Sequence, residues 1–240
     1  MYKIFKYELK RLLWNKFFFG ILGALLFYGW QVLQDTIIAG ISHTAPFSPW
    51  SFGYYLSQMV PILWVGMMFF LTFFTSNAER RAAALTSVTP VNTRTYAQIR
   101  AVAALVGTAV LTMATLILAA LFYGEYFEWY QWGSLIFPTF IILVPPLIFA
   151  LGSGWTLGQI RPFLVFVWML LPFLLMILPL PEVLEVWNGQ IFISRPLTIE
   201  SLDPAFSLPV GSLMMQFFVL AAGLFLFLTM PKWKVAGRKK

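Results

Sequence analysis

The distribution of charge constrains this chain more than any other feature. Every lysine and arginine except Arg195 falls in one of four segments: residues 2–16, 76–100, 158–162 and the tail PKWKVAGRKK. The acids divide the other way. Glu8 and Glu79 accompany the basic segments, while Asp35, Glu125, Glu128, Glu182, Glu185, Glu200 and Asp203 lie in the stretches between them. The segments that separate the two sets are apolar and about as long as a bilayer is thick, since roughly 20 helical residues cross the hydrocarbon core. An alternation of this kind is the mark of a multi-pass membrane protein with its basic loops in the cytoplasm.

Composition supports that class. Hydrophobic residues make up 60% of the 240 and charged residues 10%. Soluble domains carry about 25% charged residues. The expected fold is an all-α integral membrane protein of one transmembrane domain, residues 1–240. An amphipathic interfacial helix at 2–16 precedes six spans, near 17–39, 55–75, 96–122, 134–157, 162–180 and 209–230. Both termini are expected in the cytoplasm, and 181–208 forms an external segment. In the interfacial helix, Ile4, Phe5, Leu9, Leu12 and Leu13 recur at helical spacing, with Lys3, Lys6, Lys10, Arg11 and Lys16 between them. Lys6, Lys10 and Arg11 are its candidate contact residues. The plain alternative is that they only flank the first span.

Loop 40–54 holds His43 and a run of aromatics, Phe47, Trp50, Phe52 and Tyr54 with Tyr55 beyond, and these read as interfacial anchors. Loop 123–134 reads as an aromatic belt. In the fourth span, Pro138, Pro145 and Pro146 predict a kink or a local break. Gly152, Gly154 and Gly158 predict close helix packing, though Gly152-Ser153-Gly154 could instead line a pathway. Pro162 opens the fifth span, with Pro172 inside it. In the external segment Glu182 and Glu185 share a helical face, and Asn188-Gly189 ends that piece. They read as solvated carboxylates.

The polar stretch 76–100, SNAERRAAALTSVTPVNTRTYAQIR, has its own grammar. Ser76-Asn77-Ala78-Glu79 is a capping box: the Ser76 hydroxyl takes the Glu79 N–H, and the Glu79 side chain reaches back. A short helix is expected from 77 to 86. Thr89-Pro90 stops it, and Thr93 caps the next. Taken alone, the stretch could be no more than a solvated loop.

Much chemistry is excluded. The chain has no cysteine and one histidine, which leaves no thiolate chemistry and no histidine metal cluster. No G-x-x-x-x-G-K-[ST], H-E-x-x-H or G-x-S-x-G motif occurs. No charge sits in the middle of a span, which argues against an ion-coupled carrier. No filter sequence or charged pore ring stands out. The basic balance is a topology signal rather than a nucleic-acid footprint. What is left is a membrane body with one organised cytoplasmic element, waiting on energy or a signal from another chain.

Glu79-Arg80-Arg81, Leu85, Thr89-Pro90-Val91 and Arg94 together resemble the cytoplasmic loop of type-2 ABC transporter permeases, which commonly reads E-R-x-x-G-T-x-x-x-L-x-x-T-P-[VL]. Where that family often has Gly-Thr, this chain has Ala82-Ala83-Ala84. The six-span plan, the leading amphipathic helix and the long segment between spans five and six agree with it across nearly the whole chain. The resemblance implies a permease subunit rather than an enzyme, without metal or cofactor of its own. ATP and magnesium would be bound by a separate dimeric ATP-binding subunit. The helix at 77–86 would be the coupling helix, with Glu79, Arg80 and Arg81 making polar contacts and Leu85 anchoring. Thr89, Pro90 and Arg94 would complete the coupling loop. A second permease copy or paralogue would complete the unit in a bacterial plasma or inner membrane, with spans one, two and five lining the pathway. The expected cargo is hydrophobic or amphipathic: a drug, an antimicrobial peptide or a lipid-linked molecule. Two other readings compete: a scaffold or sensor that uses such an ATPase without transport, and an ATP-independent channel or carrier.

Overall fold

Caps and prolines decide where the helices begin. A computed structural model describes residues 2–76, 79, 93–199 and 201–229 of the chain, and among these every regular element is a helix. Helix α1 is Tyr2–Leu13 and α2 is Lys16–Asp35. Asn15 separates them and caps α2, its Oδ1 accepting the Phe17 N–H at 3.2 Å. Helix α3, Pro49–Thr75, starts six residues before the expected span. Ser48 caps it by accepting the Ser51 N–H at 3.2 Å, and Pro49 takes the first helical position. Trp50, Phe52 and Tyr55 are therefore buried helix residues, not anchors in an interfacial loop. The indole of Trp50 donates to the Pro204 carbonyl at 2.8 Å and the Tyr55 hydroxyl to the Thr115 carbonyl at 3.1 Å. The Ser-Pro pair was the signal for this start.

Helix α4, Thr93–Phe127, has 35 residues. At 1.5 Å per residue that is about 50 Å, well beyond the ~30 Å of a hydrocarbon core, so its ends stand outside that layer. Helix α5, Ile136–Ile160, runs on through Pro145 and Pro146 without a break in the helix. The expected fifth span is a shorter apolar helical stretch, Pro162–Ile177, made of α6 (Pro162–Trp168) and α7 (Leu171–Ile177) joined through Met169 and Leu170, which keep helical dihedrals. Pro172 occupies the first turn of α7, where a missing N–H costs nothing. Two short helices follow, α8 (Glu185–Asn188) and α9 (Gln190–Leu197), and Val210–Leu228 is α10. Gly189 ends α8 at φ +80°, the stop expected from Asn188-Gly189.

Five of these helices, α2, α3, α4, α5 and α10, are long and apolar enough to cross a membrane. That makes the chain a multi-pass membrane protein. Helix α3 is the hub. Its most apolar stretch is 67% buried, against 28% for α2 and 22% for α10. It packs on α2, α4, α5, α6 and α9, while α5 also packs on α10. The glycines of α5 serve two neighbours rather than one. Gly152 meets the backbone at Gly223 of α10. A Cβ at Gly154 would lie 2.6 Å from the Met68 sulfur, and one at Gly158 would lie 2.6 Å from the Thr75 methyl, both on α3. Small residues four apart let these helices approach closely.

The segment after α7 turns back against the bundle. Trp187 sets its ring 6.0 Å from that of Trp64, near the middle of α3. Phe192 is fully buried beside Gly53, where a Cβ would come within 2.6 Å of its ring. Glu182 is exposed, as a solvated carboxylate should be, while Glu185 is partly covered.

Candidate functional site

One end of the bundle carries a group of charged side chains that only the tertiary structure brings together. Helix α1 packs its Phe5, Glu8, Leu12 and Leu13 side inward, against the first turns of α4. Glu8 is 2% exposed. Its Oε1 accepts from Arg100 Nε and from the Tyr96 hydroxyl, both at 3.0 Å. Arg11, one turn along α1, stands 3.5 Å from the other oxygen. Arg100 also reaches Glu79, donating from Nη2 to Oε2 at 2.7 Å, and Arg11 donates to Glu79 Oε1 at 2.5 Å. The Arg100 guanidinium lies over the Tyr96 ring, 4.3 Å from its centre, and 5.4 Å from the centre of Phe74. Two carboxylates and two guanidinium groups thus balance, each charge touching both opposites. A buried charge costs several kcal/mol unless it is paired and hydrogen-bonded. Here each is paired, though Glu8 is hydrogen-bonded through Oε1 alone and its Oε2 has only the 3.5 Å ion pair with Arg11.

The cluster joins three parts of the chain: α1, the start of α4, and the segment that leaves α3. Ser76 sits just after α3, and its hydroxyl accepts the Glu79 N–H at 3.3 Å, one half of the expected capping box. The other half does not form. The Ser76 N–H donates to the Thr72 carbonyl at 3.1 Å, and the Glu79 carboxylate turns to the two arginines. Charge-assisted bonds to two guanidinium groups outweigh one bond to a neutral amide.

The electrostatics follow from these neighbours. Partial burial by itself would push the Glu79 carboxyl up. The hydrogen bond from Arg11 and the charges of Arg100 and Arg11 prevail and hold it below the usual carboxylate range. For Arg11, burial works toward a lower value, and the bond and charge of Glu79 raise it above the usual guanidinium range. Both groups stay ionised at neutral pH.

Of the other residues singled out above, Lys6 and Lys10 are exposed on the outer side of α1. Arg80, Arg81, Leu85, Thr89 and Pro90, the side chain of Arg94 and the helix expected at 77–86 lie outside the described residues. Glu8 and Arg100 were missed as partners. The legible signal was a carboxylate placed among Phe5, Leu12 and Leu13, on the apolar side of an otherwise basic helix. Among the described residues no three acids, histidines or cysteines gather as metal ligands would.

Away from the cluster, two adjoining hollows of about 240 and 300 Å³ lie between α4 and α5 and share Thr139 and Phe140. The hydroxyls of Thr108, Thr112 and Thr139 donate to carbonyls four residues back, so the groove presents a nearly apolar lining. Compared with family models, with curated proteins and with solved structures, the chain matches none.

Proposed function

We propose that the chain is the membrane-spanning permease subunit of an ATP-driven transporter, and that the charged cluster is its mechanical junction. One observation supports this most directly. Glu79, at the head of the loop that would meet an ATPase, is held by Arg100 of α4 and Arg11 of α1. A push on that loop reaches two helices through three side chains, and a third through Ser76 and the end of α3. Water and salt reach Arg11, whose side chain is 36% exposed, while Arg100 and Glu8 are nearly closed off. The junction thus has a firm inner half and an outer half that can be remade.

In this reading α6 and α7 together make the fifth of six crossings, and the basic end of the bundle, with both termini, faces the cytoplasm. ATP and magnesium belong to a separate dimeric ATPase, and a second permease half completes the pathway. The apolar groove between α4 and α5 suits a hydrophobic or amphipathic cargo.

Co-purification of the tagged chain in mild detergent tests the partner. Recovery of no nucleotide-binding subunit would sink the proposal. Arg100→Gln or Glu79→Gln should leave the chain inserted but lower substrate-stimulated ATPase activity at least ten-fold in reconstituted vesicles. Unchanged stimulation would remove the junction from the mechanism. ATPase activity without movement of any candidate cargo would favour a scaffold or sensor.

A further inference from the structure

Among the described residues, the outer side of α1 carries positive charge that no carboxylate neutralises. Both acids near it, Glu8 and Glu79, are spent on Arg11 and Arg100. Lys3, Lys6, Lys10 and Lys16 are exposed, and none has a carboxylate partner among the described residues. Between them stand Tyr7, 68% exposed, and Trp14, 77% exposed. Of the apolar residues expected to lie in the membrane surface, Phe5, Leu12 and Leu13 pack against the bundle. What α1 offers outward is lysine and aromatic.

Beside this face is a hollow of about 360 Å³ between the start of α1 and the first turns of α4. Tyr2, Phe5, Ile99 and Val102 give it an apolar wall, and Thr95 and Gln98 add polar groups. Lys3 and Lys6 each follow a lining residue in the chain, so a flexible four-carbon stem can bring an ammonium to the rim. Apolar wall, hydrogen-bonding groups and unpaired cations together match one kind of ligand: an amphiphile with an acyl chain and an anionic head.

We propose that the α1–α4 hollow with Lys3, Lys6 and Lys10 is a binding site for an anionic phospholipid. The acyl chain lies against Phe5, Ile99 and Val102, Thr95 and Gln98 meet the ester and phosphate oxygens, and the lysines take the charge. Charge selects the lipid and the hollow fixes its place. Because α1 is tied to α4 and Glu79, a lipid seated here also steadies the junction from its outer side. The site needs only a multi-pass membrane protein, so it can fail or stand independently of transport.

The test titrates the purified, delipidated full chain with phosphatidylglycerol or phosphatidylcholine of identical acyl chains and counts bound lipid by native mass spectrometry. Each lysine near an anionic surface is worth roughly five-fold in binding. Phosphatidylglycerol should therefore bind at least ten-fold more tightly. Lys3→Gln/Lys6→Gln/Lys10→Gln should erase the preference, and Val102→Trp should weaken binding by filling the hollow. Arg161→Gln, an exposed cation elsewhere, should change nothing. All three lysines are solvent-facing and glutamine is a comparable helix former, so the triple variant keeps its fold, checked by circular dichroism. Equal binding of the two lipids, an unaltered triple variant, or an Arg161→Gln effect as large would each overturn the proposal. So would glycerol phosphate binding as well as the lipid. Lysine acylation in vesicles decides the last alternative. Protection by phosphatidylglycerol supports the site, and protection only by an added ATPase subunit assigns this face to a protein instead.

Discussion

The two ends of α3 are held by opposite means. At its C-terminal end, Phe74, Ser76 and Glu79 join α1 and α4 through Glu8, Arg11 and Arg100. From its middle to its N-terminal end it is held by rings. Trp64 meets Trp168 and Trp187 with centroids 6.3 and 6.0 Å apart, and Trp50 meets Phe206 at 4.8 Å. Aromatic contacts are short-ranged and indifferent to pH. A charge cluster is directional and responds to acid and salt where water reaches it. A bundle built this way is firm along one half and adjustable at the other.

Four outcomes bear on this contrast. The largest effect is expected from Arg100→Ala, which takes from buried Glu8 its hydrogen-bonded arginine and leaves it only Arg11, at 3.5 Å, as a cation. Thermal unfolding in detergent should show a loss of about 3–5 kcal/mol. Adding Glu8→Gln should recover part of it, and no recovery would mean that Arg100 acts by packing alone. Trp187→Ala removes a ring from the other half and should cost about 3 kcal/mol. Hydrogen exchange should then rise at α8 and α9 and stay unchanged at α1. Spread of that change to α1 would show the halves to be one cooperative unit. Gly154→Leu forces α5 away from Met68 of α3 and should cost about 1–3 kcal/mol, read by the same unfolding.

The smallest effect is that of pH, and it separates the halves most cleanly. The Glu79 carboxyl is depressed, so its contribution is fully present above the ordinary glutamate range and is lost as pH falls through its lowered value. Protection at α1, taken relative to the intrinsic exchange rate at each pH, should stay flat from pH 8 down to about 4.5 and fall only below it. The Trp64 seam should show no such onset. An onset near pH 6 would assign the transition to another group.

The long helices were legible because their signal is additive. Twenty apolar residues must be helical in a bilayer, whatever they pack against. Expected spans 17–39, 96–122, 134–157 and 209–230 fall on α2, α4, α5 and α10 with shifts of a few residues at most ends. The errors came where a local cap competed with that average. Ser48-Pro49 started α3 early and turned three supposed anchors into core. In 162–180 the apolar run is continuous, and Met169 and Leu170 keep helical dihedrals, but the Leu170 N–H bonds only three residues back and Pro172 has none to give, so the regular ladder loosens there. Hydropathy does not record such a loosening.

The cluster was half legible. Ser76 and Glu79 are three residues apart, and their bond follows from local geometry. Glu8 and Arg100 are 92 residues apart, and nothing in either neighbourhood names the other. The sequence alone determined that this is a helical membrane protein, where its long helices lie and which segments carry the positive charge. Those properties depend on composition over a window and on the cost of leaving backbone groups unpaired in lipid. Only the tertiary structure decided that α1 turns its carboxylate inward, that two arginines draw Glu79 away from its cap, and that the lysines are left facing outward. Pairing is a property of distance, and distance between remote residues exists only once the helices have packed.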